Sequence, residues 1–124
     1  MTDKKINTVF TLDLDYDFDK FTASRHYDRL LNDLRGFEEH EGLIHASIRR
    51  SPSNHIHIRL EFDRQHTLLK QMAMRGFLGD DPHRLACELT RWYIYEDPDK
   101  IGRTFDEKCI AGIIRKAGEW QVIF

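Results

Sequence analysis

The sequence predicts an α+β domain in which an antiparallel-rich sheet is covered by helices on one face only. Three observations carry this. Four stretches alternate apolar and polar residues with the period of two that marks a half-buried strand. Other stretches repeat apolar residues at helical spacing, with start and stop signals at their ends. The elements follow one another as β-α-β-β-α-β, with an additional helix and a tail. This is the order of a ferredoxin-like, RRM-like domain.

The first strand is read over residues 8–15, with Val9, Thr11, Asp13 and Asp15 on one face and Phe10, Leu12 and Leu14 on the other. A helix follows over 23–35, with Tyr27, Leu30, Leu31 and Leu34 as its apolar stripe and Gly36 as its stop. Residues 43–50 and 55–62 form two strands around Ser51-Pro52-Ser53-Asn54, a hairpin turn by composition. A second helix is expected over 67–77, with Leu68, Leu69 and Met72 inward; Met72 and Met74 are assigned to the core. Asp81 before Pro82 is an N-cap followed by a proline at the first helical position. It opens a third helix to about Tyr93, with Leu85, Leu89 and Trp92 inward. A short strand over 102–107, with Phe105 buried, and a final strand from Trp120 to Phe124 complete the reading.

At 124 residues the chain is expected to form one domain, 1–124, large enough for a real core. Charged residues make up 32 % of it and the formal net charge is -2, so a nucleic-acid partner needs a local basic patch. Cys87 and Cys109 are the only cysteines, which gives no disulfide framework and no structural zinc motif. No signal peptide and no apolar run of membrane-spanning length are present, so the expectation is a cytoplasmic protein without a membrane partner.

The polar face of the expected sheet is where chemistry concentrates. The helices cover the face carrying Phe10, Leu12, Ile44, Ile48, Ile56, Ile58 and Leu60. The opposite face gathers Thr11, Asp13 and Asp15 from the first strand, His45, Ser47 and Arg49 from the second, and His55, His57, Arg59 and Glu61 from the third. Thr104 and Asp106 join them. A merely solvated face favours Thr, Lys, Glu and Gln; this one collects three aspartates and three histidines. Two carboxylates on one face repel each other unless something compensates, commonly a divalent cation held by oxygen ligands. Arg49, Arg50 and Arg59, with Arg64 close by, form a basic strip near the hairpin that suits phosphates. Cross-strand pairing of Arg49 or Arg59 with the acidic face is the alternative use of the same residues.

These residues carry a family resemblance. Thr11-Leu12-Asp13-Leu14-Asp15 resembles the hydrophobic-Asp-hydrophobic-Asp motif of archaeo-eukaryotic primases and primase-polymerases. The stretch Ile48 to Ile58, with Ser51 before the turn and His57 in the following strand, is similar to their second motif. Arg103-Thr104-Phe105-Asp106 is similar to their third. The order runs across roughly residues 8–108, on what would be a palm. The resemblance implies replication-associated, metal-dependent nucleotidyl transfer on nucleotides and DNA or RNA, of the kind viruses and plasmids encode. Asp13, Asp15 and Asp106 would hold Mg2+ or Mn2+; His57, with Ser51 assisting, would contact the phosphates of the incoming nucleotide. Two departures bear on activity: Pro52, Ser53 and Asn54 stand where the turn usually carries glycine, and the chain lacks the family's zinc module.

A second resemblance competes. His55-Ile56-His57 is similar to the His-hydrophobic-His motif of rolling-circle replication initiators, and Phe10-Thr11-Leu12 to their first motif. It implies a DNA-nicking endonuclease in which His55 and His57 share the metal, Tyr93 or Tyr95 is the nucleophile, and Lys100 or Arg91 lies near the phosphate. A third expectation is a non-catalytic nucleic-acid-binding module; against it, no residue assigned to the polar face is an aromatic stacking platform. Exposed sheet ends and the apolar Val122, Ile123 and Phe124 leave room for a homodimer.

Overall fold

The computed structural model describes the backbone of residues 8–17, 19, 21, 26–96 and 104–124, and within these the side chains from residue 11 onward. The elements are β1 (Thr8–Tyr16), α1 (His26–His40), β2 (Leu43–Arg50), β3 (Ile56–Thr67), α2 (Leu68–Phe77), α3 (Pro82–Tyr93), β4 (Glu107–Ile110), β5 (Ile113–Lys116) and β6 (Gln121–Val122). The expected side chains of Val9 and Phe10, the first turn of the first helix, Lys100 and Arg103 lie outside the described residues.

The main sheet has the order β1-β3-β2-β6, and every neighbouring pair is antiparallel. β3 lies between β1 and β2, which α1 connects. This is the split β-α-β arrangement of a ferredoxin-like α+β fold. Leu12, Leu14 and Tyr16 of β1 meet Ala46 of β2 and Ile56, Ile58, Leu60 and Phe62 of β3 on one face. Leu30 and Leu34 of α1 and Met74 of α2 cover that face, so the helices lie on the apolar side as expected. Leu68 and Met72 form a second cluster with Leu85 and Trp92, which fastens α3 to α2.

Local chemistry accounts for most boundaries. Thr67 caps α2 through its hydroxyl oxygen, which accepts the Lys70 amide at 3.1 Å. Asp81 caps α3 by accepting the His83 amide at 2.9 Å, and Pro82 occupies the first turn, where no backbone donor is needed. In the hairpin, Ser51 Oγ accepts the amides of Ser53 and His55 at 3.2 and 2.8 Å, and Asn54 takes a positive φ of 66°.

Several expectations are corrected. Gly36 does not stop the first helix; it lies inside α1, because one more turn lets Phe37 pack on the core. The chain reverses instead at Gly42, whose φ is 77°. Ile44 faces solvent, because a bulge between Leu43 and His45 gives β2 one residue without a partner and inverts the phase there. Tyr27, Leu69 and Leu89 lie on the outer sides of their helices and are exposed. The short strand does not cover 102–107. Thr104 to Asp106 are irregular, Phe105 is exposed, and β4 begins only at Glu107 and pairs with β5 in a separate two-stranded sheet. The final strand is confined to Gln121–Val122, though Ile123 and Phe124 still pack against the core.

No strand pairs with the outer edge of β1 among the described residues. The connection from α2 to α3 satisfies that edge. The Asp15 amide donates to Asp80 Oδ1 at 2.8 Å, the Asp81 amide donates to the Asp15 carbonyl at 3.1 Å, and Arg84 Nη1 donates to the Asp13 carbonyl at 3.2 Å. This draws the N-terminal turn of α3 up to the polar end of β1 and makes one wall of a cleft.

Candidate phosphate-binding cleft

The polar face is built as cross-strand rungs. Asp15, His57 and Arg49 stand opposite one another on β1, β3 and β2; Asp13, Arg59 and Ser47 form the next rung. Strand phase therefore places Asp13, Asp15, His57, Arg49 and Arg59 together, as the sequence predicts. What they do there is set by their partners.

Asp13 is buried, and both its oxygens are occupied. Arg59 grips it with two arms, Nε to Oδ1 at 2.8 Å and Nη2 to Oδ2 at 2.9 Å. Thr104 adds its amide at 3.0 Å and its hydroxyl at 2.8 Å, both to Oδ2. Four donors fill the acceptor capacity of a carboxylate. Asp106 approaches the same face but meets Arg49, whose Nη1 donates to it at 2.6 Å; that guanidinium holds its carboxyl below the usual range. The Asp106 side chain is 86 % exposed, whereas that of Asp13 is 3 % exposed. The three carboxylates therefore do not share an open point, and the donor set does not fit a Mg2+ or Mn2+ centre built from all three.

Arg49 is the hub of the face. Besides Asp106, its Nη2 reaches Thr104 Oγ1 at 3.2 Å and the Phe105 carbonyl at 3.1 Å, and its Nε donates to His57 Nδ1 at 3.1 Å. The last bond fixes a tautomer. A nitrogen that accepts from a guanidinium carries no proton, so the neutral ring bears its hydrogen on Nε2. Burial, then the Arg49 charge, push the His57 pKa down to about 4, so the ring is neutral at pH 7. Its Nε2, which carries the hydrogen, lies 4.0 Å from Asp15 Oδ2, beyond hydrogen-bond distance. Binding a metal there would require the hydrogen on Nδ1, against the Arg49 donor.

His55 precedes β3 rather than lying within it, yet its ring also turns to Asp15, with Nδ1 at 3.3 Å from Oδ1. Burial raises the Asp15 pKa above the ordinary carboxylate value, and the His55 contact opposes this. Ser51 is buried and serves the turn that holds His55. Arg50 is exposed at the end of β2.

Asp15, His55 and His57 open onto a cleft of about 550 Å3. The hairpin turn forms one side, α3 the second, and the segment from Thr104 to Lys108 the third. Arg91 and Lys108 bring cations to its walls, and Arg84 lines it while held by Asp80 at 2.9 Å and Glu88 at 3.7 Å. The acidic groups there have structural partners. Asp81 caps α3, and Glu88 forms a close ion pair with Arg75, which is fully buried and also bonds Asp80 at 2.7 Å. Tyr93 and Tyr95 are exposed at the far end of α3 and are not among the residues lining the cleft. The endonuclease expectation thus has its histidines at the cleft but not its nucleophile.

Sequence reasoning missed Trp120. Its ring lies on the polar face, 4.3 Å from the Arg49 guanidinium and 4.5 Å from that of Arg59. The signal was the phase of the last strand: Val122 pairs with Ser47, so Trp120, two residues earlier, falls on the same face. No family model, curated protein or solved structure matches the chain. Among the described residues, no helix is long and apolar enough to cross a membrane.

Proposed function

We propose that the domain binds a phosphate-bearing ligand, a nucleotide or the backbone of a nucleic acid, in the cleft beside His57. The observation that carries this reading is the Arg49–His57 bond at 3.1 Å, which presents a neutral Nε2–H donor at the floor of a cleft walled by Arg84, Arg91 and Lys108. Fixed donors surrounded by cations suit phosphate oxygens and cost little reorganisation on binding. The resemblance to primase-polymerases supports the same assignment for His57. In this reading the aspartates Asp13 and Asp106 act differently from the family's: they tie down Arg59 and Arg49 and so set the geometry of the histidine. The domain is a palm-like nucleotide or nucleic-acid binder in a cytoplasmic, replication-type setting.

Binding is tested with nucleoside triphosphates and short single-stranded DNA and RNA, in the presence of a chelator, by calorimetry and fluorescence anisotropy. Salt-sensitive binding that weakens in His57→Ala and in an Arg91→Glu/Lys108→Glu double variant is expected. Absence of binding to all of these ligands, or binding that ignores both variants, contradicts the proposal. A parallel nucleotide-incorporation assay with Mn2+ separates binding from catalysis. Incorporation lost in Asp13→Asn, a variant first shown to be folded, would restore the carboxylate mechanism.

A further inference from the structure

Helix α3 carries a second constellation that the phosphate reading does not use. His83 and Cys87 are four residues apart, on one side of the helix, and both are exposed. The Cys87 Sγ lies 3.6 Å from His83 Nε2. Two ligands of one tetrahedral zinc ion, with Zn–S near ~2.3 Å and Zn–N near ~2.0–2.1 Å, are separated by about 3.6 Å. The pair therefore already has the bite of a chelate. The backbone beneath it is held in place. Asp81 caps the first turn, and Glu88, next to Cys87, is anchored to the buried Arg75.

We propose that His83 and Cys87 form a two-ligand site for a borderline-soft divalent cation such as Zn2+ at the edge of the cleft. Thiolate and imidazole select this class over Mg2+ or Mn2+, which take oxygen ligands. Coordination releases the thiol proton to solvent and leaves the His83 ring neutral. Cys87 lines the cleft and His83 is not among its lining residues, so the pair stands at the rim. Water, or an oxygen of a ligand held there, completes the tetrahedron. The site is independent of the phosphate reading, because it requires only the two α3 side chains.

Cobalt is the probe, since thiolate coordination to Co2+ gives an ultraviolet charge-transfer band that oxygen ligands do not. The reduced protein is titrated with Co2+ and then back-titrated with Zn2+, with folding followed by circular dichroism. One Co2+ per chain, with a charge-transfer band that Zn2+ abolishes and Mg2+ does not, is expected. The band disappears in Cys87→Ser and in His83→Ala and persists in Cys109→Ser. Absence of the band in the parent protein, its survival in Cys87→Ser, or its survival in His83→Ala overturns the proposal and leaves the 3.6 Å contact as a simple thiol–imidazole hydrogen bond.

Discussion

Arg49 decides what His57 does, and two predictions follow at the scale of single residues. The His57 pKa is lowered from 6.5 to about 4 on folding. A depressed pKa means that the folded state resists protonation which the unfolded chain accepts. The stabilisation is therefore present above pH 6.5 and is lost as pH falls toward 4. Asp15, with its raised pKa, works in the opposite sense, favouring the folded state in acid. Urea midpoints measured from pH 7.5 to 4 should fall more steeply in the parent protein than in His57→Gln, which cannot titrate. Parallel curves would contradict the assignment. Asp13 gives the second prediction. Replacing it with alanine leaves Arg59, about one-third exposed, without its partner and strands the Thr104 amide and hydroxyl. Solvent still reaches Arg59, so the loss should be about 2–3 kcal/mol, at or below the low end for a fully buried pair. A chemical denaturation midpoint unchanged from the parent would show that Asp13 is not structural.

The elements show where pattern reading works and where it does not. Gly42 turns α1 into β2 at a φ of 77°, and its carbonyl accepts the Asp63 amide at 2.8 Å. A methyl group there would press on the Asp63 and Arg64 side chains, which can move aside, but the left-handed backbone would remain strained. Gly42→Ala should cost about 1–2 kcal/mol in denaturant unfolding, whereas Gly36→Ala, inside a helix and with open space around it, should be neutral or stabilising. The sequence reads Gly36 as the stop, and only packing overrides it: Phe37 reaches the core if the helix continues. The hairpin, the α3 cap and the phase of β1 and β3 were legible, because a few local residues determine each. The β2 bulge was not, since nothing in Leu43-Ile44-His45 announces an extra residue. The same holds for Thr104 to Asp106, whose place follows from Arg49 and Asp13, residues remote in sequence.

The whole molecule depends on one buried charge network to position its site. Arg75 is fully buried between Asp80 and Glu88. Asp80 also bonds Arg84 at 2.9 Å and the Asp15 amide at 2.8 Å. The network joins α2, α3 and the β1 edge, and so fixes the cleft wall to its floor. Arg75→Ala removes the cation from two buried carboxylates and should destabilise the protein by about 3–5 kcal/mol. Thermal or urea unfolding reads this directly, and a loss below about 1 kcal/mol would show that the network is dispensable. Seen at this scale, the sequence foretold which residues share the polar face but not their partners. Strand period fixes a side chain's face, whereas the choice between a metal ion and an arginine depends on where long, flexible side chains end up. That is why Asp13, Asp15 and Asp106 read as one cluster in the sequence and divide among Arg59, His55 and Arg49 in the fold.

The central claim is that a phosphate-bearing ligand occupies the cleft beside His57, and amide and imidazole chemical-shift mapping tests it most directly. A nucleoside triphosphate titrated into 15N-labelled protein, with a chelator present, should move the His57 Nε2 resonance and the amides of Ser53, Arg91 and Lys108. The Tyr93 and Ile113 amides should stay in place. A titration that leaves His57 Nε2 unmoved, or that moves only residues away from the cleft, would contradict the account.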